Sequence, residues 1–269
     1  MKPLLEFPAA AARRVSFVLC DIDDTLTDGG RLSGRAYAAL ERLKETGCRV
    51  IPVTGRPAGW CDLIARQWPV DAVVGENGAF YFCYDQVRRC MQRRFWHDAE
   101  TRRRHRVSLD ALGQRIVREV PGAAVAADQR YRESDLAIDY CEDVPLLDTR
   151  AVDRIVEIFQ EEGAKATVSS IHVNGWFGEN DKSVMSRLLL KEVFGYDLMA
   201  EPDRSMFVGD SPNDCPMFES VGHAIGVANV VEFADRLAPP PHWIARHRGG
   251  EGFAEVVDHL VAARGNVDR

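Results

Sequence analysis

The 269-residue chain has no cysteine pair at the CxxC spacing, and its seven cysteines are odd in number. With the histidines also scattered, neither a zinc site nor a disulfide framework is offered, and free thiols in a reducing cytoplasm are expected. Positive charge is outnumbered, 34 Lys and Arg against 41 Asp and Glu. A net charge of −7 gives no general affinity for nucleic acid. No run approaches the apolar length of a membrane span, so no membrane partner is expected. The opening "MKPLLEFPAAAARR" places its arginines after the apolar patch, the reverse of a secretory signal, which predicts none. There are no internal repeats and no low-complexity tracts, and Pro239, Pro240 and Pro241 mark one rigid loop. What is left is an ordinary globular composition, 46% hydrophobic and 28% charged, long enough for one large domain or two smaller ones.

Apolar runs alternate with amphipathic segments through the first eighty residues. "VSFVLC" (15–20) and "CRVIPVT" (48–54) are short continuous apolar runs, as expected of strands covered on both faces. Between them Tyr37, Leu40 and Leu43 share one side of a helix that Gly47 stops. A helix beginning near Pro57 and a third strand, "DAVVG", follow. Strand–helix–strand order predicts a doubly wound, Rossmann-like parallel sheet with helices on both faces. The middle of the chain is different. It is arginine-rich from about Tyr84, then predicts a helix over 109–119 behind a Ser108 cap. "SDLAIDYC" (134–141) alternates as a strand with one wet face. A helix over 150–162 and two strands within 164–177 complete what reads as a separate α+β module. Thereafter the first pattern resumes: a helix over 182–194, strands at 205–209 and 223–227, and a closing helix near 252–263. The expected organisation is therefore α/β, with a core from 1–84 and 179–269 and an inserted cap from 85–178.

In an open parallel sheet, ligands bind beyond the carboxyl ends of the strands. Three of those ends are polar here. The first strand runs into Asp21-Ile22-Asp23, the second into Thr54-Gly55-Arg56, and the strand at 205–209 into "GDSPND", with Asp210, Asn213 and Asp214. Asp181-Lys182 opens a helix at the module junction, from which a lysine can reach the same crevice. Carboxylate oxygens with room for waters suit Mg²⁺, which relieves repulsion among Asp21, Asp210 and Asp214 and polarises a phosphate. A carboxylate can attack phosphorus, while a hydroxyl, the Gly55 amide and an ammonium group can hold phosphoryl oxygens.

These residues closely resemble the haloacid-dehalogenase superfamily. "DIDDT" matches its DxDx(T/V) nucleophile motif, "VTGRP" its second motif, "DKS" its lysine motif and "GDSPND" its GDxxND acidic motif, all in the family's order. The resemblance covers roughly residues 16–84 and 179–253. The size and place of the insert, with "GENGAF" at 75–80, resemble subclass IIB, which includes Cof-type sugar phosphatases, sucrose-phosphate phosphatase, mannosyl-phosphoglycerate phosphatase and phosphomannomutase. The resemblance implies that Asp21 is the nucleophile and Asp23 the general acid and base. It implies Mg²⁺ held by Asp21, the Asp23 backbone carbonyl and Asp210, with Asp214 in or near the outer coordination sphere. Thr54 and Lys182 would hold the phosphoryl group, and Asn213 would orient its loop.

Other residues stay open between two readings. Arg56 contacts substrate or makes a structural salt bridge, and Asn77 touches substrate or braces a turn. His172 and Asn174 alternate along one strand face and either meet substrate hydroxyls or serve the cap's own structure. Asp24 and Asp28 read as solvated or loop-capping, and Trp60, Trp68 and Trp96 as packing. The arginines at 88, 89, 93, 94, 102, 103, 104 and 106 form a solvated face or a basic wall for an anionic substrate. The expected activity is Mg²⁺-dependent hydrolysis of a small phosphorylated metabolite, a sugar phosphate, through an aspartyl-phosphate. The alternatives are a phosphomutase with the same chemistry and a receiver-type signalling domain. The latter is disfavoured by chain length and by the GDxxND segment.

Overall fold

Strand Phe17–Cys20 is buried at every position, and successive side chains enter two different cores. Val18 and Cys20 pack with Leu40, Leu43 and Phe253 on one face, while Phe17 and Leu19 pack with Met185, Leu189 and Phe218 on the other. An apolar run without alternation is what double coverage requires. The structure, a computed structural model, describes residues 1–265. The last four positions of the expected core range, 266–269, lie outside the described residues.

Six parallel strands form the main sheet, in the order Lys2–Pro3, Trp243–Ile244, His223–Gly226, Ser205–Gly209, Phe17–Cys20, Arg49–Pro52. Register fixes the site: Cys20 stands beside Val208 on one side and Pro52 on the other. The chain therefore leaves the sheet at Asp21, Asp210 and Thr54 on three neighbouring strands and at one edge. Helices Gly34–Glu45 and Gly249–Arg264 cover one face, and Lys182–Phe194 and Cys215–Ser220 the other. Asp181 caps the helix that starts at Lys182 by accepting from Val184 N, which pins the lysine at the first turn.

A parallel bridge from Val53 to Val74 joins strand Val73–Gly75 to this sheet, and the hairpin Phe80–Asp85/Cys90–Phe95 pairs with it antiparallel. The expected boundary between residues 84 and 85 falls inside this hairpin. The inserted module has a four-stranded antiparallel sheet, ordered Lys165–Val168, His172–Trp176, Leu136–Asp139, Ala124–Val125. Helices Ala99–Glu119 and Thr149–Glu161 pack on one of its faces.

Two expectations for this module are corrected. Its first helix begins at Ala99 behind an Asp98 cap, ten residues before the predicted start. Only its second half buries apolar residues (Leu109, Leu112, Ile116), so the arginine-rich turns carry no periodic signal. Strand Leu136–Asp139 has no wet face, since all four residues are buried. Leu136 and Ile138 enter the cap's own core, and the opposite face, shared with His172 and Asn174, is covered by the catalytic core. Among the described residues no helix is long and apolar enough to cross a membrane.

Candidate active site

Asp21, Asp210 and Asp214 each offer a carboxylate oxygen within 4.8 Å of the others, and all three side chains are buried. One cation stands among them. Lys182 Nζ donates to Asp214 Oδ1 at 2.7 Å and lies 3.1 Å from Asp21 Oδ1. The second approach is an ion pair without hydrogen-bond alignment, so Asp21 Oδ1 keeps a buried, unfilled lone pair. Burial, with Asp214 and Asp23 adding repulsion and Lys182 opposing, pushes the Asp21 carboxyl up to about 8. Asp210 is driven well above the carboxylate range by burial and by Asp214 and Asp21.

Three buried carboxylates and one ammonium group leave negative charge uncompensated. A hard divalent cation fits that donor set. Asp210 is oriented for such a role by Thr25 Oγ1 at 2.9 Å and Asn229 Nδ2 at 3.1 Å. Asp214 is more committed: its Oδ2 accepts from the Asp210 and Ser211 amides and its Oδ1 from Lys182. Gly209 makes this possible, because a Cβ there would lie 2.3 Å from Asp214 Oδ2.

Thr54 is fully buried, and its Oγ1 accepts from Arg56 N at 3.0 Å, leaving the hydroxyl proton free to donate. The "GENG" turn braces the lysine. Gly78 has φ +95° and packs so closely that a Cβ would meet Asp181 O at 1.9 Å, so only glycine serves. Asn77, also at positive φ, accepts from Asn213 Nδ2 at 3.5 Å while its own Nδ2 is buried without a partner. Asp24 accepts from Gly29 N and Asp28 from Gly250 N, which makes both loop-capping.

Across from the carboxylates the site joins motif residues of the core to cap residues that no motif marks. Arg56 Nε donates to both oxygens of Asp23, at 2.9 and 3.0 Å. Its Nη1 and Nη2 donate to Glu142 of the cap, at 3.3 and 2.7 Å. Trp60 lies under the guanidinium, 4.5 Å from ring centre to Cζ. The His172 ring stands 3.0 Å from Glu142 Oε2. The neighbouring His172 ring and hydrogen bonds from the Arg56 guanidinium outweigh partial burial and hold the Glu142 carboxyl down at about 2. Asn174 donates to Asp135, and Arg132 links Asp128 and Asp135 to the Gly55 carbonyl. Glu76, buried in the core, accepts from Ala58 N and from the cap amides of Glu133, Ser134 and Asp135.

Core and cap thus share one ionic seam. Arg56 belongs to that seam, as the salt-bridge reading has it, and His172 and Asn174 do reach the crevice wall. Glu142, Glu76, Arg132 and Asp135 were missed, since nothing in local sequence marks a residue whose partner lies across a domain boundary. Thr25 was missed although it stands inside the first motif. The arginine cluster does not face this crevice. Arg93 pairs with Asp62 and Arg94 with Glu192, Arg102 stacks 3.7 Å over Phe95, and Arg106 donates to the Asp135 and Arg132 carbonyls. None of the eight lines the crevice, which is closed to a cavity of about 10 Å³, room for about one water.

Residues 18–100 match the family of haloacid dehalogenase-like hydrolases. The chain is 30% identical over 252 residues to a phosphoglycolate phosphatase of Methanothermobacter thermautotrophicus, covering 91% of this chain and 98% of that protein. It is 25% identical to one from Methanothrix thermoacetophila, over 93% and 98% of the two chains. A sucrose-phosphatase from Synechocystis, solved with sucrose and phosphate, shares the fold with a TM-score of 0.65 at 17% identity, covering 92% of this chain and 98% of that one. With a relative at 30% identity aligned over nearly its whole length, the chain belongs to the haloacid dehalogenase-like hydrolases, in the architecture of subclass IIB, and is a phosphatase.

Proposed function

We propose that the chain hydrolyses the phosphomonoester of a small metabolite, a sugar phosphate, with Mg²⁺ as cofactor and Asp21 as the phosphate acceptor, in a reducing cytoplasm. The observation that carries this is the buried Asp21 carboxylate with an unfilled lone pair, flanked by Lys182 and by Asp210, with Asp23 two residues on. Asp21, Asp210 and the Asp23 carbonyl, with Asp214 near them, would hold the cation, which would supply charge neutralisation at the phosphoryl oxygens. Thr54, the Gly55 amide and Lys182 hold the remaining oxygens.

In the first half-reaction an Asp21 oxygen bonds to phosphorus as the bond to the leaving oxygen breaks, and Asp23 passes that oxygen a proton. In the second, water attacks phosphorus, Asp23 takes its proton, and the acyl-phosphate bond breaks to release phosphate and restore Asp21. Asp23 can move a proton only if Arg56 yields one of the two oxygens it now grips. Arg56, Asn77, His172, Asn174 and Asn213 would line the leaving group's side.

The relatives' name favours a second leaving group, the small acid glycolate, on the same machinery. The test of the shared reading is metal dependence. EDTA should abolish phosphate release from an aryl phosphate and Mg²⁺ should restore it, with Zn²⁺ no better. Full activity in excess chelator overturns the reading.

A further inference from the structure

The two leaving-group classes differ in charge, and the crevice has a feature that separates them. Of the described residues that line it, Arg56 is the one cation. Its charge is already oversubscribed, with Asp23 at 2.8 Å, Glu142 at 2.7 Å and Asp128 at 3.6 Å. Arg132, the next cation in the seam, is committed to Asp128 and Asp135. A carboxylate carried in by a substrate would meet Asp23 and Glu142 with no free positive charge to receive it.

Glu142 is also fixed rather than free to swing aside. The Asp139 carboxylate accepts from the backbone amides of Cys141, Glu142 and Asp143, so the turn that presents Glu142 is tied to the end of strand Leu136–Asp139. That strand is paired with His172–Trp176, whose His172 stands against the Glu142 carboxylate. Admitting a substrate requires the cap to part, because the closed cavity of about 10 Å³ holds none. On reclosure Glu142 returns with the rigid cap to the Asp23 side of the crevice, the side on which the leaving oxygen departs. Polar groups complete that wall: Ser169 and Asn174 line it, and the Glu142 carboxylate, against the lining residues Arg56 and His172, is a further acceptor.

We propose that Glu142 is the specificity-determining residue of this phosphatase, accepting hydrogen bonds from hydroxyls of a neutral leaving group and repelling leaving groups that carry a carboxylate. This rests on the phosphatase reading above and extends it to a substrate class, the monophosphates of uncharged polyols and sugars. Buried acceptors that pair with substrate hydroxyls discriminate strongly, and like charges a guanidinium's width apart disfavour the wrong partner.

The test compares kcat/KM for glycerol phosphate and phosphoglycolate in the full chain, before and after Glu142→Gln. Wild type should prefer glycerol phosphate. Glu142→Gln should raise the phosphoglycolate-to-glycerol-phosphate ratio by roughly 10- to 100-fold, less than the roughly 1,000-fold of one bare like-charge contact at about 4 Å near a protein surface, because Arg56 partly neutralises Glu142. Glu142→Asp keeps the charge and should keep the preference. Free glycolate should inhibit aryl phosphate hydrolysis by Glu142→Gln more than by wild type, with glycerol showing the opposite trend. A wild type that prefers phosphoglycolate, or a ratio unmoved by Glu142→Gln, overturns the proposal. So does a fall on both substrates by the same factor, which would make Glu142 a closure contact. Absence of turnover on every ester, the aryl phosphate included, would instead overturn the phosphatase reading.

Discussion

The phosphoryl end of the crevice and the seam with the cap are both buried and both rich in charge, yet they are built on opposite plans. At the phosphoryl end one sheet edge delivers Asp21, Thr54 and Asp210, and one helix start delivers Lys182. The charges there do not balance, with three carboxylates facing one ammonium group. At the seam five carboxylates share two guanidinium groups, yet each is hydrogen-bonded: Asp23 and Glu142 to Arg56, Asp128 and Asp135 to Arg132, Glu76 to four backbone amides. A site left short of positive charge, with an acceptor unfilled, is one that expects a cation. A site already satisfied is one that holds two bodies together and offers a substrate only what those pairs leave over. A buried acceptor left unfilled therefore marks where chemistry happens, and carboxylates already hydrogen-bonded mark where recognition is set.

The largest expected effect lies at the unbalanced end. Asp21→Asn removes the nucleophile, so turnover should fall to background and no phosphoenzyme should form. Asp23→Asn keeps the nucleophile and loses proton transfer, a deficit of about 10²–10⁴-fold with a poor leaving group. With an aryl phosphate it should still be phosphorylated, and the intermediate should persist. Equal trapping of phosphoenzyme in both variants would dissolve the division of labour between two residues that stand two positions apart.

Next in size is the charge deficit itself. Lys182→Met leaves Asp21 and Asp214 buried without their one cation, and breaking a buried pair costs roughly 3–5 kcal/mol. If the deficit is what draws the metal, saturating Mg²⁺ should return part of that loss in a urea melt, and should stabilise the variant more than wild type. A variant whose melting is indifferent to Mg²⁺ would separate the carboxylate cluster from metal binding.

The same contrast explains what could be read from the chain beforehand. The parallel sheet, its cover on both faces and the polar ends of its strands were legible because each rests on a local pattern: an apolar run, then an acid or a hydroxyl at a fixed offset. The strand limits at 205–209 and the helix at 182–194 agree to the residue. The cap resisted for two reasons. Its first helix hides its start in arginine-rich turns that bury nothing, and the alternation of Leu136–Asp139 reports a polar face without saying whether water or another domain covers it. Glu142 has no motif around it. Its role exists only once Arg56, eighty-six residues earlier in the chain, is opposite.

The smallest effect tests whether the seam's pairing contributes to stability at all. Glu142 is only partly shielded, with 28% of its side chain exposed, so its pairs with Arg56 and His172 are weakened by solvent. Its carboxyl is held at about 2 in the folded chain against 4.5 when unconstrained, chiefly by the neighbouring His172 ring and the hydrogen bonds from Arg56. Between those values the unfolded chain binds the proton that the folded chain refuses. Stability from this group is therefore present above about 4.5 and lost as pH falls toward about 2. Wild type should exceed Glu142→Gln by on the order of 1 kcal/mol at neutral pH, after discounting for solvent, and the gap should close through that acid window. Urea midpoints of the two proteins, measured side by side from neutral pH downward, read the gap directly, because groups common to both cancel. A gap that stays constant into acid would mean the carboxylate is held by shape and not by charge. The seam would then be a packed surface that happens to contain ions, and its contrast with the phosphoryl end would reduce to geometry.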